Sequence, residues 1–245
     1  MGKIIAVVSG KGGTGKTSFT ANTGIALSHM GYRVLCLDCD IMLRNLDLAL
    51  GLSEQSVMDF YDVIAGHTTL AEAAVPHPGY PSLHLLTAPS VTQASAISRH
   101  QLAGLMQSIR ESYDFCLIDS PAGLGLGFQL ATAYADSAIV ITTTDVSALR
   151  DAQRTVMELD YFPQGHLHLV VCRVERKMLK ALHTTIDDAI DTAGLPLLGV
   201  VPEDSDVPYT LNRGLPLREY NYYAARAFEN IAKRLAGLKI PLMKL

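Results

Sequence analysis

The sequence predicts an α/β fold: a doubly wound, mostly parallel sheet with helices on both faces. Three observations carry this reading. Short, nearly continuous apolar runs recur at Ile4 to Val8, Val34 to Leu37, Phe115 to Ile118, Ala138 to Ile141, Leu169 to Val171 and Leu197 to Val201. Strands that are apolar on both faces belong to parallel sheets covered on both sides. Helical spacing lies between them, with Phe19, Thr23, Ala26 and Met30 on one face and Ala225, Phe228, Ala232 and Leu235 on another. Finally, 245 residues with 49% hydrophobic and 18% charged side chains suffice for one large core. A single domain over residues 1–245 is expected, with a short tail from about residue 237.

The first strand runs directly into Gly10-Lys11-Gly12-Gly13-Thr14-Gly15-Lys16-Thr17, which matches G-x-x-x-x-G-K-[ST]. This is a P-loop of the NTPase kind. Glycines let consecutive backbone N–H groups turn inward around a phosphate, and a helix starting near Lys16 adds its positive end. Lys16 should reach the β- and γ-phosphates, and the Thr17 hydroxyl should ligate Mg²⁺.

The second strand ends at Asp38, with Asp40 two residues on and so on the same side if the strand continues. Phosphoryl transfer to water needs a group that orients the attacking water. Asp40, further into the loop, is the better candidate; Asp38 is divided evenly between switch function and structural hydrogen bonding. Leu83 to Leu86 alternates weakly and reads as an edge strand, and Pro76 to Pro81 reads as a surface loop. The run Phe115 to Ile118 delivers Asp119 at a strand end, followed by Ser120-Pro121-Ala122-Gly123, where the chain must turn. Beside a P-loop, that carboxylate is the expected magnesium partner, with Thr17 and Asp40 completing the metal-linked set.

Cysteines 36, 39, 116 and 172 sit mostly in apolar runs, with no second pair to complete a four-ligand zinc site, which fits a reducing cytoplasm. Cys36 and Cys39 form a C-x-x-C, but Cys36 is read as facing out of a buried strand, which argues against redox chemistry. Net charge is −4, yet Pro208 to Leu245 carries +5 and the remainder −9. The net charge argues against nucleic acid as a partner, though the basic end keeps that reading from outright rejection; this end reads as a solvated helix face or a weak seeker of anionic surfaces.

The loop from Lys11 to Thr17, with its extra lysine, resembles the deviant Walker A of the MinD/ParA family. Four further segments resemble the MinD branch: Asp38 to Asp47, Asp119 to Gly123, Val146 to Asp151, and Val201 to Asp204 with Asn212-Arg213-Gly214. The resemblance spans the chain. It implies an ATPase using ATP and Mg²⁺, in which two nucleotides are sandwiched in an ATP-dependent homodimer. Lys11 would then act in trans and Lys16 in cis, Asp40 would orient water, Asp119 would lie near Mg²⁺, and Ser18 would contact the α-phosphate.

For adenine, relatives place Asn where Cys172 precedes Arg173, and a thiol is a poor substitute for an amide. Backbone contacts from Pro202, Glu203 and Asp204 are expected to carry more of the selectivity. No N-K-x-D guanine motif is present, which favours ATP over GTP.

The family implies a switch in division-site or cell-pole placement that recruits protein partners, with a flagellar-number regulator or a ParA-type DNA-partitioning ATPase as alternatives. Relatives that place the division site end in a membrane-inserting amphipathic helix. Here Gly237 to Leu245 has a central proline that forbids a stable helix. Leu238, Ile240, Leu242, Met243 and Leu245 with two lysines would make a feeble anchor, effective when doubled in a dimer. The expected location is the cytoplasm, with peripheral contact at the inner face of the membrane.

Overall fold

The computed structural model describes residues 1–243 apart from 54, 56, 176, 178 and 180–184. Eight strands form one sheet: β1 (Lys3–Val8), β2 (Val34–Asp38), β3 (Val75–His77), β4 (Tyr80–Leu86), β5 (Phe115–Asp119), β6 (Ser137–Thr142), β7 (Leu167–Val174) and β8 (Leu197–Pro202). Their order is β3-β4-β2-β5-β1-β6-β7-β8, parallel throughout except for the antiparallel β3–β4 pair.

The alternation inside β1 shows why these runs are apolar on both sides. Ile5 and Val7 point into a core with Phe19, Cys36 and Phe228. Ile4 points the other way, with Leu37 and Ile118, and Ala6 and Val8 pack with Val140 and Leu169. Successive side chains face opposite layers, and helices cover each layer.

In chain order the helices are α1 (Lys16–His29), α2 (Leu46–Ala49), α3 (Phe60–Ile64), α4 (Leu70–Ala73), α5 (Val91–Ser95), α6 (Arg99–Ser112), α7 (Leu126–Thr132), α8 (Val146–Glu158), α9 (Ile186–Ala193), α10 (Asp206–Leu211) and α11 (Tyr222–Leu235). Helix α1 is rich in Thr and carries Gly24, so intrinsic propensity does not hold it. Packing does: a Cβ at Gly24 would come within 2.6 Å of the Cys36 sulfur, which shows how closely α1 lies on β2.

Two expectations change. The Leu83 to Leu86 run is not an edge; it belongs to β4, with β2 on one side and β3 on the other. The Pro76 to Pro81 stretch is not a loop but the β3–β4 hairpin, and Pro76 pairs with His84. Proline is tolerated there because β3 has a neighbour on one side only, so its missing N–H interrupts no second ladder.

The tail is tied to the fold. Arg234 of α11 donates hydrogen bonds to the carbonyls of Leu198 (2.8 Å), Ile240 (2.9 Å) and Pro241 (2.6 Å). Met243 packs against the core, while Leu238 and Leu242 stand about half exposed. Lys244 and Leu245 lie outside the described residues.

Candidate active site at the phosphate loop

The parallel register sets the site. Asp38 pairs with Asp119 at the carboxyl ends of β2 and β5, and Val7 of β1 pairs with Asp119 on its other side. Two acids therefore meet beside the loop that leaves β1, at the end of the sheet where ligands bind in such folds.

Within the loop, Gly13 (φ 75°) and Gly15 (φ 102°) adopt left-handed backbone that a side chain would oppose. Gly15 is the N-cap of α1 and supplies no side-chain cap, so the first N–H groups of the helix are left for a ligand. Lys16 is buried (8% exposed) and donates to the Ser9 hydroxyl at 2.8 Å. Burial lowers its pKa, against the opposing pull of Asp119 and Asp40. A buried ammonium held by one neutral hydroxyl is a charge waiting for an anion.

The Thr17 hydroxyl donates to an Asp119 carboxylate oxygen at 2.6 Å, and Thr20 reaches the other oxygen at 3.4 Å. Burial pushes Asp119 up to about 6, opposed by the Thr17 hydrogen bond and Lys16. Burial first, then Asp119, pushes Asp38 up to about 8. Asp38 holds the loop at two points: one oxygen accepts from Asp40 N–H (2.7 Å), the other from Leu46 N–H (3.3 Å). The strand stops at Asp38, so Asp40 does not continue its face. Instead Asp40 turns into its own loop and accepts from the N–H groups of Met42 (3.2 Å) and Leu43 (3.1 Å).

These carboxyls set a pH dependence. In the folded chain Asp38 keeps its proton to about pH 8, whereas in the unfolded chain it releases it near pH ~4. Between those limits the folded state binds more protons, so stability falls as pH rises through the window, and Asp119 acts with the same sign. Burial lowers the pKa of His77, His84 and His168, which act with the opposite sign, so the carboxyl contribution is read as a difference. The melting temperature of the nucleotide-free parent relative to Asp38→Asn is expected to drop between about pH 5 and 8; scanning calorimetry showing that difference constant or rising would contradict the assignment.

A cavity of about 540 Å³ opens beside the loop, and Gly13, Gly15, Lys16, Thr17, Ser18, Cys172, Arg173, Pro202, Glu203 and Asp204 are among the residues that line it. The sequence-predicted phosphate and base residues thus meet in one space. Gly10, Lys11, Gly12, Thr14, Asp40 and Asp119 do not line it. Gly10 is required for packing: a Cβ there would meet the Asp151 carbonyl oxygen at 2.7 Å. Thr14 is buried, with its hydroxyl 3.5 Å from the Lys11 carbonyl. The Lys11 ammonium leaves the loop and donates to the Ser147 hydroxyl on α8 at 2.8 Å.

Next to Cys172, Arg173 adopts left-handed backbone (φ 57°). Its guanidinium grips both Glu203 carboxylate oxygens (3.0 and 3.2 Å) and donates to the Gly13 carbonyl at 3.3 Å, strapping the ends of β7 and β8 to the phosphate loop. Cys172 is buried, and burial pushes its thiol up to about 12, so it faces the cavity neutral. Cys36 and Cys39 lie in cores on opposite sheet faces, which removes the C-x-x-C as a pair.

Sequence reasoning missed the walls formed by Asn45, Leu48 and Ala49 on one side and Val207, Pro208 and Leu211 on the other. Nothing local marks the apolar residues among them as different from core. Asn45 and Asn212 do fall inside segments that resemble the family, and that was their one signal.

The donors fit a triphosphate with Mg²⁺. Among the described residues no cluster of three or more His, Cys, Asp or Glu could hold a metal by itself. A hydroxyl and a carboxylate 2.6 Å apart are the hard oxygen donors that Mg²⁺ takes when phosphate and water complete its shell.

Comparison with known proteins agrees. The family described as "AAA domain" matches residues 2–165. The septum site-determining protein MinD of Synechocystis sp. is 39% identical over 246 residues, covering 99% of this chain and 92% of the relative. The MinC:MinD cell division protein complex of Aquifex aeolicus superposes with TM-score 0.90 at 35% identity, covering 99% and 98%. Septum site-determining MinD of Pyrococcus horikoshii, complexed with Mg-ADP, superposes with TM-score 0.83 at 33% identity, covering 98% and 100%. With its lysine-doubled phosphate loop and paired strand-end acids, the chain belongs to the MinD branch of the MinD/ParA family, and it is a Mg²⁺-using ATPase.

Proposed function

We propose that this chain is an ATP-dependent dimerisation switch in division-site placement, acting as one domain over residues 1–245 with a tail from about 237. The observation that carries the switch is the opposite placement of the two loop lysines. Lys16 points into its own cavity, whereas Lys11 points out of it toward Ser147. A lysine on the outer rim serves a nucleotide held by a second copy, so the γ-phosphate can be sensed only when two chains meet.

The same rim carries exposed apolar side chains, Met42 (74%), Leu43 (69%) and Val146 (68%), which suit burial on assembly. Arg44, Arg150 and Asp151 beside them form the proposed contact for a protein partner of the division system. A MinD chain stands in complex with MinC in Aquifex aeolicus, and that likeness supports a partner of this kind.

In the proposed roles, Lys16, Ser18 and the loop N–H groups hold the phosphates, Thr17 and Asp119 hold Mg²⁺, Asp40 orients the attacking water, and residues 172–173 and 202–204 face adenine. Magnesium neutralises charge on the β- and γ-phosphate oxygens when bound.

No helix among the described residues is long and apolar enough to cross a membrane. The proposed location is the cytoplasm, with peripheral membrane contact through Leu238 and Leu242 of paired tails. Net charge of −4 disfavours DNA as the partner, and the ParA-family ATPase of Chlorobium tepidum, 20% identical, shares the fold.

Lys11→Ala tests the switch. Light scattering in the Asp40→Ala background is expected to show the ATP-dependent dimer abolished, with monomer ATP affinity kept within about twofold. An undiminished dimer would remove the trans role.

A further inference from the structure

The base side of the cavity is mechanically joined to the Asp40 loop. Helix α2 lines the cavity with Leu48 and Ala49, and α10 with Val207, Pro208 and Leu211. The walls touch where Gly51 meets Gly214, both in left-handed backbone (φ 68° and 61°). A Cβ on Gly214 would lie 2.3 Å from Gly51 Cα and 2.7 Å from its nitrogen; one on Gly51 would lie 2.6 Å from the Gly214 carbonyl oxygen. The contact is backbone against backbone, so no flexible side chain can give way, and it fixes the gap between the walls.

The other end of α2 is fixed as well, since the Asp38 carboxyl accepts the N–H of Leu46 as well as that of Asp40. The loop from Asp40 to Leu46 is therefore held at both ends by one carboxyl, and the helix that follows it is seated by the glycine pair. Leu46, Leu50 and Leu52 around this helix are buried core, yet Leu48 is 54% exposed in the cavity wall. The fold makes little use of that side chain. An apolar slot between two fixed walls suits a flat heteroaromatic ring.

We propose that Leu48 contacts the nucleobase and that the Gly51–Gly214 contact sets the width of the base slot, so that the helix following the Asp40 loop also reads the base. This rests on the assignment of the cavity to ATP. Occupancy by the base then steadies the segment that carries Asp40, while a triphosphate without a base fills only the other end.

Leu48→Ala and Gly214→Ala test this, with ADP and inorganic tripolyphosphate affinities measured by calorimetry and the ATP-to-GTP ratio of kcat/KM by phosphate release. Leu48→Ala, which removes a half-exposed side chain and leaves the core intact, is expected to weaken ADP about tenfold. Gly214→Ala is expected to weaken it further, and both to reduce the preference for ATP over GTP while tripolyphosphate affinity stays within about twofold of the parent. Unchanged ADP affinity and base preference in both variants would overturn the proposal, as would a parallel loss of tripolyphosphate, which marks damage to the phosphate loop. A parent protein that binds neither ADP nor tripolyphosphate would instead sink the nucleotide assignment itself.

Discussion

Replacing Lys16 by glutamine is expected to cut ATP turnover by at least ~10³-fold, equivalent to about 4 kcal/mol of transition-state stabilisation. The Lys16 ammonium is buried and close to Asp119 and Asp40, so in the proposed role it would face bound phosphates through little water. Glutamine keeps part of the length and can still meet the Ser9 hydroxyl, but brings no charge. Stability should move differently. Burial lowers the pKa of Lys16, which means that the empty fold bears its charge unfavourably. The nucleotide-free variant should therefore melt no lower than the parent at neutral pH. Phosphate release and calorimetric melting on one preparation separate the two effects. A variant that loses activity only in proportion to unfolding would refute the direct role.

Removing the Asp40 carboxylate is expected to lower turnover by ~10²–10⁴-fold while ATP remains bound, because orienting and polarising the attacking water contributes to that extent. Asp40 has a competing structural duty, since it accepts the N–H groups of Met42 and Leu43. Alanine alone would confound the two. Asparagine separates them: its side-chain oxygen can still accept both N–H bonds, but it carries no negative charge. If Asp40 orients water, Asp40→Asn should be nearly as slow as Asp40→Ala in single-turnover phosphate release. If Asp40 only shapes the loop, asparagine should retain most of the rate.

The phosphate loop was legible because its information is local. Glycines, lysine and hydroxyl follow one another between a strand and a helix, and the backbone in Gly13 and Gly15 is what such residues permit. Asp119 was legible for a related reason: an acid closing an apolar run lies at the carboxyl end of a buried strand. Elsewhere the determining partner lies far along the chain. The strap from Arg173 to the Gly13 carbonyl spans 160 positions. Leu48 looks like its buried neighbours Leu46, Leu50 and Leu52 until the fold shows that it lines the cavity. Spacing ranked Asp40 ahead of Asp38 but left the role of Asp38 open, because it does not show that the strand ends between them and sends one carboxyl under the loop and the other into it. The β3–β4 hairpin was misread because prolines signal a break by default, and only a one-sided position in the sheet makes Pro76 harmless.

That margin also restricts how copies of this protein can aggregate or assemble. The sheet ends in a three-residue strand with proline at its centre, which offers an incoming chain too short and too interrupted a ladder to extend. The opposite margin, β8, has α11 packed over it and Arg234 tying the tail across its Leu198 carbonyl. Strand-to-strand growth is thus discouraged at both sides. The proposed nucleotide-governed dimer, which uses the loops at the carboxyl ends of the strands, therefore meets little competition from either margin.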